Sequence, residues 1–403
     1  VAERKPFECV KAGSDNPKYE QMISREVPLY KKDADIRNEF ERDYTRVLHS
    51  LGYRRLKHKT QVFFNTRNDH ICTRIEHVNH VESVSYTIAT YLGLSTALTK
   101  AIAIAHDLGH SPFGHQGERT LKRISQKYLG ETFWHEKNGL NFVDNIELLE
   151  DDKRRMRNLS LTYAVRDGII SHCGELDTAV IKPRDEFIDL NDIKVPGQYS
   201  PFTWEGCVVK LADRIAYVGR DIEDAVRVGF IGKDELRQLD DMAQRYHVAA
   251  NTTGILHNMI TKLSENSSPE RGIGLPEEYI EMLNAINQFN VEHIYRHKRF
   301  NFYIKYVDLV LESAFEALMD AYSGEDTLEK MLLIGNDGKA PEYLRQFGQW
   351  LSQFCMVEGD KNPNKKIYGR LDSERTYMRA VIDYISGMTD QYVIRIFEEL
   401  TMF

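Results

Sequence analysis

The sequence runs to 403 residues, 42% hydrophobic and 28% charged, with a formal net charge of −8. That composition excludes an intrinsically disordered chain. The acidic balance excludes a broad polyanion-binding surface, so an anionic ligand needs a local basic cluster.

From the N-terminus, Val1 to Tyr19 is polar and charged, without an apolar signal core. No later stretch reaches the ~18 uninterrupted apolar residues of a membrane span, and a cytoplasmic protein is expected. Gln61 to Asn65 is the best strand candidate, and it is short. The helical period dominates elsewhere. Leu98, Ile102 and Ala105 fall at i, i+4 and i+7, and Leu211, Ile215, Val218, Ile222 and Val226 repeat the stripe. It continues from Phe302 to Met319 and from Tyr377 to Met402.

Breaks fall at Lys11 to Pro17, Gly109 to Gly117, Pro183 to Pro201, Glu265 to Pro276, Gly335 to Pro341 and Gly359 to Pro363. None has the length of a flexible linker. The expected architecture is all-α, with one large domain over residues 1–403. Residues 42–230 would form its catalytic core, and 231–403 would supply packing helices and oligomer contacts. Five scattered cysteines (Cys9, Cys72, Cys173, Cys207, Cys355) include no Cys-x-x-Cys pair, so neither a disulfide framework nor a zinc knuckle is indicated.

The most informative segment is Ala105-His106-Asp107-Leu108-Gly109-His110-Ser111-Pro112-Phe113-Gly114-His115-Gln116-Gly117-Glu118. Groups that ligate metals or move protons crowd together there, directly after an apolar helix. Gly109, Pro112 and Gly114 then let the backbone turn. A lone His-Asp dipeptide is an ordinary surface or core pair. A buried one is costly without a partner, and a divalent cation is such a partner.

Two further ligands are at hand. His77 lies upstream, and Asp213 lies downstream in Leu211-Ala212-Asp213-Arg214-Ile215-Ala216-Tyr217. Asp213, Tyr217, Asp221 and Asp224 follow one helical stripe, the pattern of side chains lining a site. Two imidazoles and two carboxylates suit manganese, magnesium, iron, cobalt, nickel or zinc, with positions open for water and a phosphate oxygen.

With these residues in place the chain resembles the HD superfamily and, within it, the deoxyguanosine triphosphate triphosphohydrolase family. Four more blocks carry the resemblance. They are Tyr53-Arg54-Arg55-Leu56-Lys57-His58-Lys59-Thr60-Gln61-Val62-Phe63, Trp134-His135-Glu136-x-Asn138-Gly139, the usually structural Gly168-Ile169-Ile170-Ser171-His172, and Asp383 through Asp390. The match is densest from Arg42 to Arg227 and weak from Gly229 to Asn290. Val78-Asn79-His80 departs from the family pattern, and spacing from Arg74 selects His77 over His80 as the ligand.

The resemblance implies an HD fold with His77, His106, Asp107 and Asp213 holding a divalent metal. It places His115 and Glu118 at the chemical step, where i, i+3 spacing lets the carboxylate orient the imidazole. His110 and His135 become phosphate-side donors, with Glu136 behind them. Arg55 and Arg74, helped by Arg54, Lys57, His58 and Lys59, oppose the triphosphate charge. Gln61 and Asp221 meet the sugar 3′-hydroxyl, and Tyr217 stacks beneath the sugar.

The implied reaction converts a deoxynucleoside triphosphate to deoxynucleoside and inorganic triphosphate. The implied state is a homo-oligomer, with a nucleotide or single-stranded DNA as effector. One alternative is an HD phosphohydrolase acting on guanosine tetraphosphate, a cyclic nucleotide or a nucleoside monophosphate. Another is a non-catalytic nucleotide sensor. The Arg-Arg-Leu and Lys-Thr-Gln block argues against the first, and the intact His115 and Glu118 against the second. No role is assigned to Tyr384, Asp390, Tyr295, Lys298 or Arg299.

Overall fold

The computed structural model describes residues 5–29, 35–64, 68–173, 180–246, 251–336 and 340–402. Among them the chain forms 17 α-helices, with 61% of residues helical and 4% in strands. The all-α class read from the apolar period is what the chain adopts. Val1, Asn65 and residues 337–339 of the Gly335 to Pro341 break lie outside the described residues.

The strand expectation fails. Gln61 to Phe64 is bends and turn, and the strands lie elsewhere. Leu148–Glu150 pairs antiparallel with Met156–Asn158, and Val180–Ile181 with Ile273–Gly274. Gln61 to Phe64 meets no strand edge among the described residues, and a strand without a ladder leaves its backbone groups unmatched.

The chain divides into two compact units, each assembled from separated stretches. The first collects Val1–Leu48, Gln61–Asp107 and Ser160–Asn301. The second collects His49–Thr60, Leu108–Leu159 and Phe302–Phe403. The boundary falls between Asp107 and Leu108, inside the signature motif.

In the first unit the helix Thr96–Ala105 is the core. Leu98, Ala101, Ile102, Ala103, Ile104 and Ala105 are fully buried, because the helix is covered by Arg74–Leu92, Tyr163–Ser171 and Trp204–Arg227. Local chemistry fixes the helix starts. The Thr73 amide donates to Glu76 Oε2 at 2.7 Å, and the Ser95 and Thr203 hydroxyls accept from the amides of Leu98 and Gly206. Each satisfies a backbone group that the first turn leaves open. The apolar stripe on Trp204–Arg227 holds through Ile222 and then surfaces, with Val226 exposed. Asp213, Tyr217, Asp221 and Asp224 all lie on this one helix.

In the second unit Gly114–Leu129 packs on Glu374–Gly387. Gly109 lies directly against the start of the helix His135–Asn141. A Cβ on Gly109 would meet the Gly139 nitrogen and the His135 carbonyl oxygen at 2.1 Å each. No other residue type fits that approach.

Candidate functional site

The first unit assembles the four expected metal ligands. His106 follows the last turn of Thr96–Ala105, where its Nδ1 lies 2.6 Å from the Ala103 carbonyl oxygen. A carbonyl only accepts, so Nδ1 carries the hydrogen and Nε2 presents a lone pair. That Nε2 is buried and has no hydrogen-bond partner among the described residues. It lies 3.6 Å from Asp107 Oδ1 and 3.8 Å from Asp213 Oδ1. His77 Nε2 lies 3.0 Å from Asp213 Oδ1 and 4.0 Å from Asp107 Oδ2.

The electrostatics are those of a site built around positive charge. Burial pushes the Asp213 carboxyl up, but the hydrogen bond and charge of His77 lead the effects that hold it well below the usual range. Burial pulls His77 down, yet Asp213 and Asp107 outweigh that and the ring titrates above its ordinary value. An orphaned imidazole nitrogen facing a buried carboxylate, a half-buried one and a second imidazole fits a divalent cation. The carbonyl behind His106 is the usual brace for a ligating ring.

Arg74, also buried, donates from Nη1 to Asp107 Oδ2 at 2.9 Å, orienting that carboxylate. Tyr217 and Asp221 sit one and two turns along from Asp213. Burial raises the Asp221 carboxyl to about 6, with the Tyr295 hydroxyl partly opposing it. Burial, with Asp213 nearby, also pushes the Tyr217 hydroxyl up. Gln61 Oε1 is buried and accepts no hydrogen bond from the described residues.

Two residues were missed by sequence reasoning. Tyr295, noted in the sequence without a role, ends a π-turn after Glu277–Asn290 and donates its hydroxyl to Asp221 Oδ2 at 2.5 Å; nothing in the local pattern gives that partner. His172 was read as part of a structural block. Its Nδ1 lies 2.7 Å from the Ile169 carbonyl, and its ring centroid is 4.9 Å from that of His106. Its ligand atom lies within 4.8 Å of those of His106 and Asp107. The available signal was a histidine closing the apolar block Gly168-Ile169-Ile170-Ser171-His172, as His106 closes its own apolar helix.

The second unit assembles the remaining imidazoles. His110 and His135 stack with centroids 3.9 Å apart at 21°. Glu118 Oε1 accepts from the His135 backbone amide at 2.9 Å and faces its Nδ1 at 3.1 Å. Glu136 Oε2 lies 3.4 Å from the same Nδ1.

Here the structure differs from the expected pairing. His115 Nδ1 is 3.6 Å from Glu118 Oε2, and its side chain is 66% exposed. Glu118 therefore fixes His135, seventeen residues away, more tightly than the imidazole three residues away. Burial raises the Glu118 carboxyl, but His135 first and then His115 drive it far below the carboxylate range.

The basic run is also deployed differently. Arg55 pairs with the buried Glu147, which also accepts from the Gly52 amide at 2.8 Å. It lines a cavity of about 360 Å³ with Trp350, Tyr384 and Tyr392, and none of the four histidine-cluster and carboxylate residues His110, His115, Glu118 and His135 lines it. Lys59 is buried and donates to backbone carbonyls. Arg54, Lys57 and His58 are exposed.

A family model described as HD domain matches residues 74–218, enclosing all four metal-set residues, and one described as Phosphohydrolase-associated domain matches residues 350–399. The chain is 30% identical over 421 residues to a deoxyguanosinetriphosphate triphosphohydrolase-like protein of Rickettsia prowazekii (strain Madrid E), covering 96% of each. A protein of the same description from Caldanaerobacter subterraneus subsp. tengcongensis is 32% identical over 368 residues, with 91% of this chain and 86% of the relative covered.

The chain belongs to the deoxyguanosinetriphosphate triphosphohydrolase-like family of HD-domain proteins. The resemblance carried by His77, His106-Asp107 and Asp213 is thus a family relationship. As in other HD domains, the buried His and Asp groups of this family member can hold a divalent metal ion. None of its helices, among the described residues, is long and apolar enough to cross a membrane.

Proposed function

We propose that this HD phosphohydrolase cleaves deoxynucleoside triphosphates to deoxynucleoside and inorganic triphosphate. The observation that carries the chemistry is the hold of Glu118 on His135. With Nδ1–H turned to the carboxylate, Nε2 is the ring atom left to exchange a proton, as in other carboxylate–imidazole pairs. Water attacks the α-phosphorus, the bond from phosphorus to the 5′-oxygen breaks, His135 Nε2 delivers the proton that oxygen needs, and the proton released by the attacking water restores the ring. His110 and His115 present further imidazoles to the phosphates.

A divalent cation held by His77, His106, Asp107 and Asp213 would supply Lewis-acid polarisation of a phosphate oxygen and a lowered pKa for water. Arg74 holds Asp107 in place for it. Gln61 Oε1, without a donor among the described residues, and Asp221 are assigned to the sugar hydroxyl, and Tyr217 to the sugar face. Arg55 drops out of the triphosphate contacts, because its guanidinium is committed to Glu147. The names of the relatives support a deoxynucleotide substrate over the other HD phosphohydrolase substrates. A homo-oligomer with a nucleotide or single-stranded DNA effector belongs to the same proposal.

Incubation with each of the four deoxynucleoside triphosphates and Mn²⁺ or Mg²⁺, with phosphorus NMR of the products, tests the reaction. Inorganic triphosphate is expected. Pyrophosphate, monophosphate or no turnover would overturn it.

A further inference from the structure

The turn that carries His110 holds its shape through groups distant in sequence. Phe113 sits at φ 62, the left-handed region that a bulky residue rarely adopts. The Gly109 carbonyl accepts from Asn138 Nδ2 at 2.7 Å, and the His110 carbonyl accepts from Lys59 Nζ. The Phe113 amide donates to Asp390 Oδ1 at 2.8 Å.

These three partners meet again at the corner between Glu374–Gly387 and Asp390–Thr401. Lys59 Nζ donates to the Ser386 carbonyl at 3.0 Å, and Asn138 Nδ2 to the Ser386 hydroxyl at 3.2 Å. Asp390 Oδ2 accepts from the Thr60 amide at 2.9 Å and from the Thr60 hydroxyl. Ser386 is 0% exposed, Lys59 2% and Asp390 5%.

Burying a lysine and an aspartate is a poor route to stability, since apolar residues of similar volume often serve as well. It does define one geometry, because each charged group is surrounded by fixed backbone dipoles. Asn138 lies one turn beyond His135 on the same helix. The clamp therefore fixes both the turn under His110 and the helix under His135, whose rings stack.

We infer that Asp390 and Ser386, acting with Lys59, Thr60 and Asn138, are positioning residues that set His110 against His135. The corner between the last two helices thereby controls turnover through these two rings. The inference rests on the proposed reaction for its effect on rate, and on the hydrogen bonds alone for its effect on the rings.

Asp390→Asn places an amide NH₂ or a single acceptor where three donors now converge. Turnover should fall about 10- to 100-fold, the usual result of sub-ångström misplacement. KM and bound-metal stoichiometry should hold, melting should remain cooperative, and the His110 and His135 ring resonances of the metal-free protein should shift. Thr60→Val removes only the hydroxyl and serves if Asp390→Asn fails to fold. It should lower turnover by about 3- to 10-fold, the cost of one hydrogen bond, with Thr60→Ser restoring it. Unmoved ring resonances with unchanged turnover per folded molecule would show the clamp to be structural only and overturn the inference. If the wild type cleaves no deoxynucleotide, the reaction proposal fails, and the ring resonances still decide the positioning claim.

Discussion

His135 is the residue on which the proposed chemistry turns, and its place depends on one carboxylate. Glu118 holds it by both the backbone amide and Nδ1. Removing the ring or neutralising the carboxylate should therefore affect rate more than binding. His135→Ala and Glu118→Gln are expected to lower kcat by ~10²–10⁴-fold while retaining metal. The exposed His115 should cost less when replaced by alanine. Steady-state kinetics with metal analysis check this, and a larger loss for His115→Ala would reverse the assignment.

Asp221 gives a second prediction at this scale. Its carboxyl titrates at about 6 in the fold, raised by burial, against 3.8 for the free group. The native state therefore binds the extra proton between those values, and stability falls as pH rises through the window. Above about pH 6 the penalty is complete, on the order of 3 kcal/mol. Asp221→Asn, which can still accept from Tyr295, should raise the melting temperature at pH 7.5 and give little gain near pH 4. An equal gain at both pH values would show that burial of charge is not the cause.

Between elements, two close approaches carry the packing. A Cβ on Gly168 would lie 2.5 Å from Ile102 Cγ2, so Gly168→Ala drives the helix Tyr163–Ser171 off the core helix. A loss of about 1–3 kcal/mol is expected from such overpacking. Ile102→Ala added to Gly168→Ala should recover part of it, and urea denaturation of the four-member cycle reads the coupling. Strict additivity would mean that the clash is absorbed elsewhere. Gly109→Ala strikes backbone instead of side chain and should displace the helix that bears His135. Turnover should collapse while metal binding survives, as measured by kinetics beside metal stoichiometry.

For the whole molecule, the metal set joins stretches of chain that are far apart in sequence: His77, His106 with Asp107, and Asp213. An ion bound only by the native arrangement stabilises it by about 2.7 kcal/mol at a hundredfold excess over its dissociation constant. Mn²⁺ should therefore raise the melting temperature of the wild type, and a chelator should reverse the rise. His106→Ala should show neither response. A rise of equal size in His106→Ala would place the ion elsewhere.

The helical class was legible because a 3.6-residue period records which side of its own helix each residue faces, and that face is a local property. The same reasoning placed Asp213, Tyr217 and Asp221 on one stripe of one helix. The His106-Asp107 pair was legible because adjacent metal-ligating groups after an apolar helix have few other stable settings. Choice of partner was not legible. Glu118 favours a ring 17 residues away over one three residues away, Arg55 takes Glu147 across 92 residues, Tyr295 reaches Asp221 across 74, and Asp390 reaches Phe113 across 277. A hydrogen bond requires heavy atoms within about 3 Å, and only the packing of helices brings such distant residues that close.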